Sequence, residues 1–344
     1  MLLASYKCFS SKLVKRTLTT LYVLIYMTMG SCGTIPDDEG EFIGHHTKES
    51  WKNDIPLNMK LIPSGTFLMH GGVNEGGIGQ TRIIQTTTVP SFYMDEAPVT
   101  NAQYRAFLDI VRADLESYGL NESYINEKLM PDVTVWQKVF PAMFIDDSYG
   151  QSYWQDPRFD DYPVVGITWE AAEQYARVRS IYRNNYLVSK GRKPGPDFRL
   201  PTAAEYEYAA KGGQPDAQYP WGGPSVRDPK TGKLLANFQA TKGDYAASGY
   251  AYTSPIKAFP PNAYGLYDMA GNVAEWCADV YSPLPIHKNE VISPFYKDEQ
   301  GLFKVIKGGS WKDYAYALQT GVSDCEHKDI PRCYIGFRCV MSAM

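Results

Sequence analysis

The stretch Gly265-Leu266-Tyr267-Asp268-Met269-Ala270-Gly271-Asn272-Val273 is one of six short segments whose order along the chain decides the fold. No single segment is decisive, but together they extend over one domain from about Met59 to Met344. The other five are Asp95–Asn101 (DEAPVTN), Tyr162–Trp169 (YPVVGITW), Arg199–Thr202 (RLPT), Gly308–Leu318 (GGSWKDYAYAL) and Ile335–Cys339 (IGFRC).

In this order the segments resemble the formylglycine-generating enzyme domain, also called the sulfatase-modifying-factor domain. The resemblance implies an α+β fold that is irregular, rich in loops and related to C-type lectin-like domains. It assigns residues 56–344 to this domain and makes residues 119–160 an insertion relative to the catalytic members.

The catalytic members of the family carry two cysteines that bind copper(I) and help to oxidise a substrate cysteine. Thiolates suit this work because they are soft ligands and nucleophiles. In this chain the two positions hold Asp313 and Leu318, and no cysteine lies between Cys277 and Cys325. The resemblance therefore implies a domain that is not an enzyme and has no catalytic cofactor.

The N-terminal segment has the features of a bacterial lipoprotein signal. A basic stretch precedes the apolar run Leu18–Met29, and small residues come directly before Cys32. We predict that residues 1–31 are a signal peptide and that Cys32 carries the lipid. The alternative is an ordinary secretory signal with an incidental cysteine. Gly33, in place of aspartate, favours the outer membrane.

Residues 32–55 comprise the lipidated cysteine and a polar segment with an acidic run. We predict a flexible tether that holds the domain away from the membrane. The net charge of the whole chain is −4 and no basic patch is concentrated in it, so nucleic acid is not expected as a partner.

Four features resemble one branch of the family, the K-type and J-type ring lipoproteins of gliding motility and type IX secretion in Bacteroidota. The first is the lipoprotein signal. The others are the segment Ser91–Glu96, the insertion around Pro131–Trp136, and Trp221–Pro224 followed by Leu235–Phe238. The branch implies a structural component on the periplasmic face of the outer membrane, bound to periplasmic secretion-ring proteins in a large assembly.

Periodicity and capping residues predict several elements. Strands are expected at Leu61–Met69, with a turn at Pro63–Gly65, and at Ile83–Tyr93. Three helices are expected, each beginning after a capping threonine: Asn101–Tyr118 after Thr100, Trp169–Tyr182 after Thr168, and a short one after Thr202 that stops at Gly212. Residues 184–197 are expected to form a loop. Glu205 should act in the capping box and Glu207 should pair locally.

Two features leave alternatives open. The insertion 119–160 is rich in aromatic residues, which would suit either a protein-binding surface or a cover folded over the core. The four cysteines that remain after Cys32 would suit either two disulfides or free thiols: Cys277, Cys325, Cys333 and Cys339.

The family also binds structural calcium, and the resemblance maps two sites onto this chain. The first comprises Asn272, Val273 and Glu275, on a tight loop with the oxygen ligands that calcium prefers. The alternative is that Asn272 and Glu275 satisfy backbone groups in a turn. The second, weaker site comprises Asn237, Phe238 and Tyr250, and there Ser248 replaces the acidic ligand of the family.

Two other functions remain as alternatives. One is an oxidase or hydrolase that uses Asp313, Tyr314 and Tyr316 in place of cysteines. The other is a glycan- or peptidoglycan-binding module that uses the aromatic loops of a lectin-like fold.

Overall fold

The computed structural model describes residues 56–71, 83–282, 292, 294–296 and 301–343. All of these residues belong to one compact unit, which begins at Ile55. The predicted signal peptide 1–31, lipidation site Cys32 and tether 32–55 lie outside the described residues.

Within these ranges the strands form two four-stranded sheets and one two-stranded sheet. The first sheet is antiparallel, in the order β1-β4-β10-β5, and is built from β1 (Met59–Ile62), β4 (Phe92–Asp95), β10 (Val340–Ser342) and β5 (Phe198–Arg199). The second is the antiparallel pair β2 (Gly65–Gly71) and β3 (Ile83–Val89).

The third sheet has the order β8-β7-β6-β9, and the segment quoted at the start of the sequence analysis leads directly into its strand β6. Its strands are β6 (Ala274–Val280), β7 (Phe303–Lys307), β8 (Ser323–His327) and β9 (Ile335–Gly336). Strands β6 and β9 are parallel, and the other two pairs are antiparallel.

Both predicted strands are split in the structure. The turn at Pro63 separates β1 from β2, as expected, so that the strand continues on the other side of the turn in a different sheet. The stretch Ile83–Tyr93 is divided at Pro90 and Ser91 into β3 and β4. Proline has no backbone N–H to donate to a neighbouring strand, and this favours the change of sheet at both places.

The helices begin where their capping residues predict. Thr100 caps α1 (Asn101–Ala113) in a capping box with Gln103, and two short helices follow at α2 (Leu115–Tyr118) and α3 (Glu122–Tyr124). The prediction of one helix to Tyr118 was wrong. Asp114 leaves the helical conformation and accepts a hydrogen bond from the Ser117 N–H, which starts α2.

The insertion continues with a π-helical turn at Ile125–Leu129, α4 (Val135–Val139), α5 (Ser148–Gln155) and a 3-10 turn at Pro157–Phe159. Helix α6 (Trp169–Ser189), capped by Thr168, is seven residues longer than predicted. The predicted loop 184–197 was therefore wrong up to Ser189. Asn184 continues the helix, and its side chain exchanges two hydrogen bonds with the backbone of Gly195.

Helix α7 (Ala203–Lys211) confirms the third prediction. Thr202 and Glu205 form the expected capping box, and Gly212 ends the helix with a φ of 60°. A 3-10 turn at Ala315–Leu318 completes the helical elements of the described ranges. None of these helices combines the length and the apolar composition needed to cross a lipid bilayer.

The aromatic insertion folds back and covers the core. Trp136 is 1% exposed, and its ring meets those of Phe144, Tyr149 and Tyr153 from the same insertion. It also stacks on Trp311, at 6.0 Å between ring centroids. These residues, together with Tyr252, are called the aromatic cluster below. Of the two interpretations of the insertion, the cover is confirmed for these side chains.

None of the four cysteines that follow Cys32 forms a disulfide bond within the described part of the chain. Cys277, Cys333 and Cys339 are buried, and Cys325 is half-buried. Desolvation by burial raises the pKa of Cys333 and of Cys339 to about 12, so both are held as neutral thiols. The interpretation as free thiols is confirmed within the described ranges, and the one with two disulfides is wrong.

Candidate functional site

The loop after β7 carries Asp313 and Leu318, the two positions that the resemblance aligns with the cysteines of the catalytic members. It leaves the strand through Gly308 and Gly309, both with positive φ. A Cβ atom on Gly309 would lie 2.9 Å from the Ala317 carbonyl oxygen, so only glycine fits there. The loop therefore turns back on itself, and residues 313 and 318 follow within the same turn.

The Asp313 carboxylate is used inside this loop. Its Oδ2 accepts hydrogen bonds from the Ser310 backbone N–H at 3.0 Å and from the Ser310 hydroxyl at 2.6 Å. Its Oδ1 pairs with Lys312 at 2.6 Å, and its carbonyl accepts from the Gln239 N–H. These contacts make Asp313 the residue that closes the turn.

Leu318 lies on the inner side of the same loop. Its side chain is 1% exposed and belongs to a buried apolar cluster with Tyr219, Leu234 and Phe238. A leucine side chain offers neither a lone pair to a metal ion nor a nucleophilic atom. The two positions therefore supply a turn-closing carboxylate and a core contact.

The two tyrosines of the alternative enzymatic function point to solvent. Tyr314 is 50% and Tyr316 is 51% exposed. The nearby ring pair of Tyr219 and Trp221 is stacked at 5.1 Å, and the Tyr219 hydroxyl donates to the Ala315 carbonyl. Among the described residues, neither tyrosine hydroxyl forms a hydrogen bond with an acidic or basic side chain.

Replacing Asp313 with alanine is expected to lower the free energy of unfolding by about 1–2 kcal/mol, because the Ser310 N–H and hydroxyl lose their acceptor. Asp313→Asn should lose less, since an amide oxygen still accepts from Ser310. Urea unfolding of the three proteins tests this order. Equal stability of all three would contradict a turn-closing role for the carboxylate.

The first predicted calcium site forms a hydrogen-bonded turn. The Asn272 side chain accepts from the Ser254 N–H at 2.9 Å and donates to the Ser254 carbonyl at 3.2 Å. Its own carbonyl accepts from the Trp311 N–H. Asn272 has a φ of 63°, which the paired side chain stabilises. The contacts of Asn272 match the alternative interpretation, in which the residue satisfies backbone groups.

Glu275, the acidic member of that site, is fully buried against Arg338. The guanidinium donates from Nε to Oε2 and from Nη2 to Oε1, both at 2.7 Å, and neither side chain is exposed. Tyr206 adds a third hydrogen bond to Oε1, at 3.3 Å. In this arrangement both carboxylate oxygens of Glu275 are engaged, and a calcium ion would have to compete with a buried cation. The donor set at Glu275 does not fit calcium as it is arranged.

The second predicted site lies next to the first, since the Asn272 N–H donates to the Asn237 carbonyl at 2.8 Å. The Asn237 side chain donates to the Tyr252 carbonyl and accepts from the Ser248 hydroxyl at 2.7 Å. Ser248 thus fills the place of the acidic ligand with a hydrogen bond. Phe238 is buried, and the Tyr250 ring packs edge-on against Phe259.

In the described part of the chain no group of three or more histidine, cysteine, aspartate or glutamate side chains is placed to hold a metal ion. Calcium binding at the two mapped sites stays a prediction. The measurement that decides it is thermal unfolding in calcium and in a calcium chelator, because an ion that binds only the folded state raises the midpoint.

A buried charged cluster, which the sequence did not reveal, lies between α7 and β7. Glu207 is fully buried and pairs with Lys307 at 3.3 Å, with His70 at 3.1 Å and with Lys211 at 3.9 Å. Lys307 also donates to the Ser323 hydroxyl. The prediction that Glu207 pairs locally holds only for Lys211, because the other two partners come from distant strands.

Stability should depend on the ionised form of Glu207. Desolvation acts to raise its pKa, but the combined effect of Lys307, His70 and Lys211 leaves the pKa below the usual value. A lowered folded-state pKa gives stability that is present above the unfolded pKa and lost as the pH falls through the folded one. Glu207→Gln should cost about 2 kcal/mol at neutral pH.

The difference between wild type and Glu207→Gln should then shrink as the pH falls below the usual glutamate pKa of about 4.3 and on through the lower folded-state pKa of Glu207. Chemical unfolding at neutral and acidic pH measures both values. A difference that grows on acidification would have the wrong sign for a lowered pKa.

Comparison with known proteins identifies the class that this fold and loop define. The family model described as the sulfatase-modifying factor enzyme 1-like domain matches residues 47–343. The chain belongs to this family.

Among the curated relatives is the formylglycine-generating enzyme of Thermomonospora curvata, which is 32% identical over 310 residues and covers 83% of this chain and 94% of the relative. The inactive C-alpha-formylglycine-generating enzyme 2 of Mus musculus is 30% identical over 300 residues, with 83% and 86% covered. The relatives thus include both enzymes and an inactive member.

The solved structures support the fold. PvdO from Pseudomonas aeruginosa is similar with a TM-score of 0.56 and 22% identity, covering 83% of this chain and 94% of that one. Treponema denticola variable protein 1 is similar with a TM-score of 0.53 and 20% identity, covering 83% and 95%. The predicted α+β formylglycine-generating-enzyme fold is confirmed.

Proposed function

We propose that this chain is a non-catalytic member of its family, held on the periplasmic face of the outer membrane by a lipid on Cys32. It serves as a structural component of the type IX secretion and gliding machinery, bound to periplasmic ring proteins in a large assembly.

The non-catalytic part of the proposal rests on one observation, which is how residues 313 and 318 are used in the structure. Asp313 closes a turn through Ser310 and Lys312, and Leu318 is buried. Copper(I) and a substrate thiol need soft sulfur ligands, whereas a carboxylate is a hard ligand and leucine is none. A fold that retains its scaffold without these ligands suits binding and assembly.

The membrane and assembly parts rest on the sequence. The basic stretch, short apolar run and Cys32 support a lipid anchor, and the four branch features support the secretion and gliding role. Several acyl chains on one cysteine hold a protein stably at a membrane, whereas a single chain binds reversibly. The inactive relative of Mus musculus supports the idea that this scaffold persists without the enzymatic reaction.

The test is purification of the intact lipoprotein from its own envelope in mild detergent, followed by native sizing and mass spectrometry. We expect a very large particle with a periplasmic partner in fixed stoichiometry. Cys32→Ser should leave the protein outside the membrane fraction. Recovery as a free monomer would contradict the assembly role.

Two assays separate the alternative functions. Incubation with a cysteine-containing peptide should give no formylglycine, and turnover that Asp313→Ala abolishes would support an enzyme. Sedimentation with purified cell wall should leave the protein in the supernatant. Co-sedimentation that free glycan displaces would favour the glycan-binding module.

A further inference from the structure

We propose that the C-terminal end of α6 and the turn after it form a contact surface for anionic phospholipid headgroups. This surface, called the basic end of α6, comprises Tyr186, Val188, Lys190, Arg192 and Lys193. The inference rests on the proposed lipid anchor and adds which face of the domain is turned toward the bilayer.

The charge of this segment is opposite to that of the chain as a whole. Between Glu173 and Asp197 the sequence has no carboxylate, although the whole chain has a net charge of −4. The same segment carries six cationic residues: Arg177, Arg179, Arg183, Lys190, Arg192 and Lys193. A local surplus of positive charge of this kind attracts an anionic leaflet.

The inner cations of the segment are engaged by the domain. Arg179 forms a two-pronged pair with Asp95, at 2.7 and 2.9 Å, and Arg177 donates to the Tyr118 carbonyl. The outer cations at positions 190, 192 and 193 are all exposed. Lys190 and Lys193 therefore place positive charge on the surface at the end of the helix.

Exposed apolar groups accompany these cations. Tyr186 is 58% and Val188 is 57% exposed, and the Lys190 ammonium lies 5.6 Å from the centre of the Tyr186 ring. One turn earlier, Tyr182 is 54% exposed. Tyrosine and long basic side chains suit the headgroup region, because each has an apolar body and a polar end. The composition of the surface therefore fits the boundary between headgroups and acyl chains.

The chain enters the domain beside the same helix. Leu57, which is 84% exposed, and Arg179 line one cavity of about 220 Å³. From Arg179 to Lys190 the helix rises by about 16 Å. The basic end of α6 therefore lies about 16 Å along the helix from a residue of the cavity where the predicted tether meets the domain.

The predicted tether is long enough for the basic end of α6 to reach the leaflet, but its length does not force this orientation. The 23 residues from Gly33 to Ile55 could extend to about 80 Å and would have a root-mean-square span of about 24–29 Å if flexible. A tether of that reach keeps the domain near the leaflet in any orientation. Attraction of Lys190, Arg192 and Lys193 to the headgroups would then select one face.

The test uses the full lipidated chain, reconstituted into phosphatidylcholine vesicles with and without phosphatidylglycerol. Flotation first shows whether the chain is anchored, and hydrogen exchange then reports on the amides of residues 186–193. We expect flotation with both vesicles and about fivefold or more slowing of exchange only with phosphatidylglycerol. High salt should reverse the slowing, because the contact is electrostatic.

Two double variants, each of which reverses two lysine charges, show whether the slowing depends on the basic end of α6. Lys190→Glu with Lys193→Glu should remove the slowing, whereas Lys230→Glu with Lys233→Glu, on an exposed loop elsewhere, should leave it. Flotation without slowing would overturn this inference and leave the anchor intact. Equal slowing in both vesicles would mean that the tether or another protein segment covers the surface, which also overturns it. Failure to float would overturn the anchor and this inference together.

Discussion

Replacing Glu275 with glutamine is expected to lower the free energy of unfolding by about 3–5 kcal/mol, because it leaves the Arg338 guanidinium buried without its carboxylate. Both side chains are fully buried, and the pair is joined by two hydrogen bonds of 2.7 Å. An arginine cannot relieve this by losing its proton. Single domains are typically stable by about 5–15 kcal/mol, so the loss would be a large part of the total.

Two further variants test whether the loss in Glu275→Gln comes from the unpaired, buried charge of Arg338. Glu275→Gln combined with Arg338→Met should be more stable than Glu275→Gln alone, because it removes the unpaired charge as well. Glu122→Gln, at the exposed pair with Arg112, should change the unfolding free energy by less than about 1 kcal/mol. Urea unfolding followed by circular dichroism measures all four proteins. A Glu275→Gln protein as stable as the wild type would mean that the buried pair contributes nothing net.

Replacing Trp136 with alanine should cost about 3–5 kcal/mol, since it empties the centre of the aromatic cluster. The Trp136 ring contacts partners from the insertion and also Tyr252 and Trp311 from the rest of the domain. Its loss therefore weakens packing inside the insertion and between the insertion and the core. We expect protease cleavage within residues 119–160 to accelerate in parallel with the loss of stability.

Tyr316→Ala is the comparison for the tryptophan variant. It also removes an aromatic ring, but from a side chain that is 51% exposed, and should change stability by no more than about 0.5 kcal/mol. Trp136→Phe should fall between the two, because it leaves part of the ring contacts. If Trp136→Ala and Tyr316→Ala cost the same, the aromatic cluster is not a core.

Local chemistry allowed the starts of the helices to be predicted. Thr100, Thr168 and Thr202 each cap a helix through a side-chain oxygen, and the relevant partner is only three residues away. The ends were less predictable. Helix α6 passes through Asn184 because that side chain finds its partner at Gly195, on a segment that the helix itself positions.

Long-range pairing could not be predicted from local pattern. Glu207 was expected to pair locally, yet it also pairs with Lys307 and His70, which lie 100 and 137 residues away along the chain. The stretch Ile83–Tyr93 was predicted as one strand, but Pro90 and Ser91 divide it into two strands that belong to different sheets. Nothing within either segment indicates these partners, because they are set by the packing of the whole domain.

The sequence predicted which residues occupy the candidate site better than it predicted the contacts that they form. The replacement of both cysteines was visible in the sequence, but the hydrogen bonds that tie Asp313 to Ser310 were not. Asn272 and Asn237 were assigned to separate calcium sites, whereas the structure joins them by a backbone hydrogen bond. Glu275 was predicted as a ligand from the family resemblance, and its pairing with Arg338, 63 residues away along the chain, could not be predicted from the local sequence.

Strand β10 also determines when the domain can form during synthesis of the chain. It lies between β4 and β5, and Met341 pairs with Tyr93 on one side and with Phe198 on the other. The first sheet therefore cannot be completed until residues as late as Ser342 are available to strands that left the ribosome long before. Contacts of such sequence separation form slowly. The first sheet therefore stays incomplete for most of the synthesis of the chain, and such an unfolded chain is what the export proposed above would need.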